Sequence, residues 1–122
     1  MTINSRSAGK RGEDLACRFL KGDKYKILEK NYSVRQGEID IIAEDRAGVL
    51  CFVEVKARSR TDYGSAIEAV TRSKQKKLLA AAFIYLENSK IKSKDMRFDI
   101  VSVDLGSEEV NIIKNAFDVN YF

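Results

Sequence analysis

Three acids and one lysine stand on two short segments, Gly37-Glu38-Ile39-Asp40 and Glu54-Val55-Lys56. Between them run an apolar stretch from Ile41, a polar turn through Asp45, Arg46, Ala47 and Gly48, and a second apolar stretch to Val53. That alternation reads as a β-hairpin. With the turn centred on Ala47, Asp40 faces Glu54 and Glu38 faces Lys56, and period-two alternation puts all four on one face. Side chains directly opposite lie about 5 Å apart, and like charges so placed destabilise a sheet. Two carboxylates in that position call for a cation between them, and a hard divalent ion held by oxygens meets the need. A two-residue slip would leave Asp40 and Glu54 as diagonal neighbours. A one-residue slip would separate them across the sheet, and the hydrophobic pattern resists it. The plain alternative is an edge ribbon with solvated charges. Leu50-Cys51-Phe52-Val53 argues against it, being apolar on both faces as a covered central strand is.

The chain has no histidine, which excludes Ser-His-Asp and Cys-His catalysis and His-ligated zinc. Any chemistry must run on carboxylates, lysines, tyrosines and a bound ion. Cys17 and Cys51 are the two thiols, and their apolar or helical settings read as small core residues in a reducing cytosol. At 122 residues, 44% hydrophobic and 33% charged, residues 1–122 read as a single globular domain. The longest apolar run, residues 78–86, falls far short of the roughly 20 needed to span a bilayer. Residues 1–7 carry no apolar signal segment, so the expectation is a cytoplasmic protein without membrane contact.

Lys and Arg number 22 against 18 acids, a formal charge of +4. That excess is too small to prove a nucleic-acid partner, and its distribution says more. Arg6, Lys10, Arg11, Arg18, Lys21, Lys24 and Lys26 crowd the amino-terminal quarter; Arg72, Lys74, Lys76 and Lys77 form a second group. A third, Lys90, Lys92 and Lys94, reads as solvated surface.

The elements that must carry these residues follow from pattern. A helix is expected from Ser7, as its N-cap, to about Lys21, with Leu15, Ala16, Phe19 and Leu20 buried. Glu13 lies at the border of that stripe, and Gly9 and Gly12 beside it permit close approach by another backbone. Residues 25–34 make a first strand, mixed in polarity and therefore near an edge. The hairpin strands are 38–44 and 49–58, followed by a loop at 59–65. A second helix, broken near Thr71, runs to about Glu87, then come strands at 96–103 and 109–113. The helix-strand order predicts an α+β fold, a mixed central sheet with helices packed on it. The second helix buries Leu78, Leu79, Ala82, Phe83 and Leu86. One turn earlier that stripe meets Lys74 and Gln75, which therefore point inward, while Lys76 and Lys77 point to solvent. An inward Lys74 would pair with a carboxylate or meet an anion; a snorkelling stem with its head in water fits the same spacing.

The pattern of Asp40 followed by Glu54-Val55-Lys56, with a helical Glu13 before it, resembles the PD-(D/E)XK nucleases. More closely, the chain resembles the YraN-like family of small bacterial proteins, expected to be endonucleases related to archaeal Holliday junction resolvases. The matching stretches are residues 9–16, Asn31-Tyr32, 37–42, 52–58 and 97–101, with Ala69-Val70 and Lys74 of the spacer helix. The proline of the superfamily's name is absent before Asp40, where Ile39 stands. The resemblance implies a restriction-endonuclease-like core in which Asp40 and Glu54, helped by the Val55 carbonyl and by Glu13, hold Mg²⁺ or Mn²⁺. It implies that Lys56 orients water or stabilises charge on phosphate. Lys74, Gln75, Arg58, Arg60, Lys10 and Arg11 would meet nucleic acid, DNA in the first instance with RNA open. Branched or structured DNA suits a domain too short to carry a separate sequence reader, and cutting two strands would call for a homodimer. Two readings compete: a nuclease fold that binds nucleic acid without cutting, and a structural one with Glu38–Lys56 and Asp40–Lys74 as ordinary ion pairs.

Overall fold

The computed structural model describes residues 5–59, 67–91 and 95–117. In chain order these form α1 (Ser5–Gly22), β1 (Lys26–Val34), β2 (Gly37–Glu44), β3 (Leu50–Arg58), α2 (Arg72–Ser89), β4 (Met96–Asp104) and β5 (Val110–Ile113). The five strands make one sheet in sequence order, β1-β2-β3-β4-β5. Neighbours are antiparallel except β3 and β4, which run parallel over nine paired positions. Parallel strands need a crossover, and α2 lies in that connection. The expected mixed sheet with packed helices is the observed fold.

The residues of β3 explain its central place. Leu50, Cys51, Phe52 and Val53 are all buried, because the even positions face α2 and the odd ones face α1. On the α2 side Phe52 stacks on Phe98 and meets the edge of Tyr85, with Leu78, Leu79, Ala81 and Ala82 completing the layer. On the α1 side Ala16, Cys17 and Leu20 cover Ile41, Val53, Val101 and Val103. Each fully buried aliphatic or aromatic side chain contributes about 1.5–3 kcal/mol by leaving water. β1 lies at the sheet edge, as its mixed polarity predicts, with a register shift between Ile27 and Glu29.

Two expectations about the helices are corrected. α1 begins at Ser5, so Ser7 lies inside it and is not its cap; a serine's capping preference signals a helix start without fixing which residue begins it. Phe83 is 55% exposed. Its inward place is taken by Ala81 and Tyr85, because small alanines let α2 settle close on the sheet and rotate Phe83 outward. The break near Thr71 is observed: a helical turn at Ile67 and Glu68 ends, and Thr71 caps α2 with its Oγ1 accepting from the Lys74 N–H at 3.2 Å.

The closed end of the hairpin is pinned. Asp45 Oδ1 accepts from the Ala47 and Val49 amides at 2.9 Å, and Gly48 takes the left-handed φ of 86° that closes the turn. Arg97 then ties this turn to the sheet. Its guanidinium reaches Asp45 Oδ2 at 2.7 Å, both Asp99 oxygens at 3.0 and 2.9 Å, and the Tyr25 hydroxyl at 2.7 Å. A buried carboxylate such as Asp99 needs that compensation, which the Asn115 amide completes.

Candidate functional site

The β2–β3 ladder pairs Glu44 with Leu50 and ends at Ile41 with Val53. That register is the one with Ala47 at its centre, and its continuation sets Asp40 opposite Glu54. Beyond Ile41 the strands fork. The Val55 N–H, instead of a strand carbonyl, finds Asp40 Oδ2 at 2.8 Å. Alternation on β2 breaks at the same point: Ile41 packs in the α1-side core, but Ile39, two residues away, packs in the α2-side core. The Asp40 carboxylate therefore stands in the mouth of the fork and is reached from both sides. A cavity of about 340 Å³ on the α2 side is lined by Asp40, Glu54, Glu38, Ser73, Lys74 and Lys77. A second, of about 370 Å³ on the α1 side, is lined by Asp40, Glu54, Glu13, Val55 and Lys56.

Glu38 and Lys56, expected on one face with Asp40 and Glu54, both reach the α1 side. Glu38 lines the α2-side cavity and also one shared with Glu13, and Lys56 lines the α1-side cavity, where its Nζ lies 3.6 Å from Glu54 Oε1. The inward turn of Lys74 is borne out, but its carboxylate is Glu54, at 2.9 Å, rather than Asp40. Thr71 explains the reach. As N-cap it fixes the first turn of α2 so that Lys74 overhangs β3. Gln75 spends its amide on the Val70 carbonyl at 3.1 Å. Lys77, expected to point to solvent, is exposed yet lines the cavity.

α1 brings the third carboxylate. A Cβ on Gly12 would stand 2.5 Å from the Ala57 Cβ, so the helix backbone rests directly on β3 and carries Glu13 to the fork. The Asn31 side chain lies beside the Glu13 carboxylate and lowers its pKa against the burial that raises it. A third cavity, of about 880 Å³, continues from there past Lys10, Lys30, Asn31 and Glu38. Sequence reasoning named Asn31 only within the matching stretch Asn31-Tyr32 and gave Asn31, Lys30 and Ser73 no role of their own. Arg11 turns away from the fork to the Leu105 carbonyl at 2.8 Å and Glu108 at 3.0 Å. Arg58 ends β3, partly buried, its carbonyl accepting from the Leu105 amide. Arg60 and its loop lie outside the described residues, as do Lys92 and Lys94.

The electrostatics are those of a site short of positive charge at Asp40. Burial first, then the facing Glu54, push the Asp40 carboxyl up to about 7 against the pull of the Val55 amide. Glu13 is also raised, by burial above all, with Asp14 and Glu38 adding to it. Burial lowers the Lys56 ammonium, and the neighbouring Lys74 lowers it further. For Lys74 burial works the same way, but bonds to Lys56 and Glu54 outweigh it and hold it above the ordinary lysine value. The donors around the fork are all hard oxygens, and a second charge that Asp40 lacks would relieve it; both suit Mg²⁺ or Mn²⁺. Among the described residues no three acidic, cysteine or histidine side chains already form a metal cage. Glu13, Asp40 and Glu54 therefore do not meet as one such group; an ion of the Mg²⁺ kind would take one or two carboxylates and complete its shell with water and substrate oxygens.

Residues 12–103 match the profile of a family described as "Uncharacterised protein family UPF0102". The chain belongs to that family. It is 44% identical to a UPF0102 protein of Persephonella marina over 113 residues, 93% of this chain and 95% of that one. A UPF0102 protein of Desulfosudis oleivorans is 46% identical over 112 residues, covering 92% and 90%. One of Geobacter metallireducens is 38% identical over 123 residues, covering 99% and 100%. Among solved structures, SfsA of Pyrococcus furiosus in complex with Ca²⁺ matches at 15% identity with a TM-score of 0.33. The match takes in 92% of this chain but only 63% of SfsA. Among the described residues of the UPF0102 chain, no helix is long and apolar enough to cross a membrane.

Proposed function

We propose that this UPF0102 protein is a divalent-metal-dependent endonuclease that hydrolyses phosphodiester bonds in DNA. The observation that carries this reading is the fork. Asp40 and Glu54 stand opposite each other at its mouth, with Lys56 beside them and open cavities on both sides.

Asp40 and Glu54 are the residues that would hold the ion, with Glu13 adding a ligand directly or through water. Mg²⁺ or Mn²⁺, once bound, supplies Lewis-acid polarisation of a phosphodiester oxygen and a lowered pKa for water. Lys56 would orient the attacking water or, through its charge, steady the phosphorane-like transition state. With an ion on Glu54, Lys74, which pairs with that carboxylate at 2.9 Å, would be free to meet a backbone phosphate. Lys77, Ser73 and Lys10 line the approaches and suit phosphate contacts, which fix position without reading sequence. Branched or flapped DNA is the substrate class that fits so small a recognition surface. Cleavage of two strands at a junction takes two such sites, supplied by a symmetric pair of chains.

A second reading has its own observation. Glu54 is already compensated by Lys74 at 2.9 Å and Lys56 at 3.6 Å, as expected of a nuclease fold that grips nucleic acid without cutting. Titration calorimetry with Mn²⁺ on the parent chain and its Asp40→Ala form separates the two. The nuclease reading expects binding that disappears in the variant, followed by Mn²⁺-dependent cleavage of branched DNA by the parent only. Absence of Mn²⁺ binding both alone and with a non-cleavable junction rejects it in favour of the binder. The same assay run with RNA settles the choice of nucleic acid.

A further inference from the structure

We infer that Asn31 is a positioning residue that aims the Glu13 carboxylate at the β2–β3 fork. The inference deepens the nuclease reading and rests on it, since Glu13 must have an ion to be aimed at.

The register makes the first argument. On β1, Lys30 pairs with Ile41 and Tyr32 with Ile39, so Asn31 stands opposite Asp40. Continued across β3, this gives a row of Asn31, Asp40 and Glu54 on three adjacent strands. Asn31 thus stands level with the two acids, one strand away from the fork.

Its backbone makes the second. Asn31 has φ of 53°, the left-handed region, near the middle of a nine-residue strand. A residue other than glycine gives up about 1–2 kcal/mol there, less for asparagine, and a strand has no need of it. Such conformations persist where the surroundings over-determine them, and they gather at functional sites. The turn of the chain at this point breaks strand alternation and swings the amide to α1. There it stands beside Glu13, eighteen positions earlier in the sequence, and both residues line the same cavity with Glu38.

The chemistry makes the third. A carboxylate at the rim of an acidic cluster, repelled by Asp14 and Glu38 and drawn to Lys30 in the same cavity, has no reason from charge to face the fork. An amide donor fixed to the strand supplies one, leaving the other oxygen lone pairs for a cation. Asparagine combines the two properties required. Glycine would accept the backbone but offer no donor, and aspartate would accept it but present an acceptor to an acid.

Asn31→Gly and Asn31→Asp test this, each measured for melting temperature and for Mn²⁺ affinity by calorimetry. The expected result is that Asn31→Gly melts at or above the parent temperature while binding Mn²⁺ roughly tenfold more weakly, the usual scale for a group behind a ligand. Asn31→Asp should weaken binding at least as much. In a Glu13→Ala background, Asn31→Gly should change nothing further, because the residue it positions is gone. Unchanged affinity in Asn31→Gly, or an equal loss with Glu13 absent, overturns the inference and leaves the metal site standing. A parent chain that binds no Mn²⁺ overturns both.

Discussion

The Lys74 ammonium lies 2.9 Å from Glu54 Oε1, on a carboxylate only 8% exposed, while among the described residues Asp40 opposite has no such partner. A tethered cation thus already serves one of the two acids of the fork. Any metal ion must compete with it. Lys74→Met should therefore cut both ways. Without metal it removes a partner from a buried acid whose remaining lysine is 3.6 Å away, at a cost of about 1–2 kcal/mol given the partial exposure of Lys74. With metal the competitor is gone. The expected outcome is a lower metal-free melting temperature together with a larger Mn²⁺-induced rise than the parent shows, both read by thermal unfolding.

Acidity gives the second prediction. A carboxyl raised to about 7 in the fold holds its proton more tightly there than in the unfolded chain. Its contribution to metal-free stability is complete below the unfolded value near 4 and is lost as pH rises through about 7, on the order of a few kcal/mol. Urea unfolding of the metal-free parent and of Asp40→Asn at pH 5 and pH 8.5 should show that the parent loses more on going to the higher pH. A parent and variant with equal pH dependence would contradict the burial of Asp40. Mn²⁺ affinity should run in the opposite sense and strengthen as pH rises through 7, because the ion competes with that proton.

Gly12 offers a steric test of how α1 delivers Glu13. Gly12→Ala places its Cβ within 2.5 Å of Ala57 Cβ, and relief requires α1 to lift. Overpacking of this kind costs about 1–3 kcal/mol. The partner change Ala57→Gly should recover most of the lost stability in the double variant, measured by chemical unfolding. Failure of that rescue would place the damage elsewhere.

The far end of the hairpin should behave as structure alone. Arg97→Lys keeps the charge but loses the fork that reaches Asp45, Asp99 and Tyr25 together. Leaving Asp99 poorly paired in the core should cost about 3 kcal/mol or more. Below the lowered melting temperature, Mn²⁺ affinity should match the parent, since these residues lie beyond the paired length of β2 and β3 from Asp40.

What was legible in the sequence follows from what has a period. Alternation of apolar residues fixed the register about Ala47, the central place of β3 and the edge place of β1, because a slip would have exposed an entire face. The inward aim of Lys74 came from helical spacing in the same way. The fork carries no such mark. Asp40 takes the place of a ladder acceptor by using its side chain, and a side chain that replaces a backbone partner leaves the residue pattern unchanged. Asn31 stood in a stretch matching the family, but its role was silent for the same reason, its left-handed backbone being set by the strands and helix around it. Arg11 was read among basic residues near the fork, but it serves the β4–β5 turn, a partner more than ninety positions away that no local pattern reports.

The bond from the Val55 amide to Asp40 Oδ2 has a consequence beyond geometry. Along the paired part of β2 and β3, amide protons are held by carbonyls, and their exchange with deuterated solvent reports only how often the strands part. The Val55 proton is held by an ionisable side chain that has a second claimant. Its exchange rate and its nitrogen chemical shift are therefore tied to what the carboxylate is doing, proton on or off, ion present or absent. One backbone resonance on the central strand becomes a label-free gauge of the fork, readable without substrate and without altering any residue.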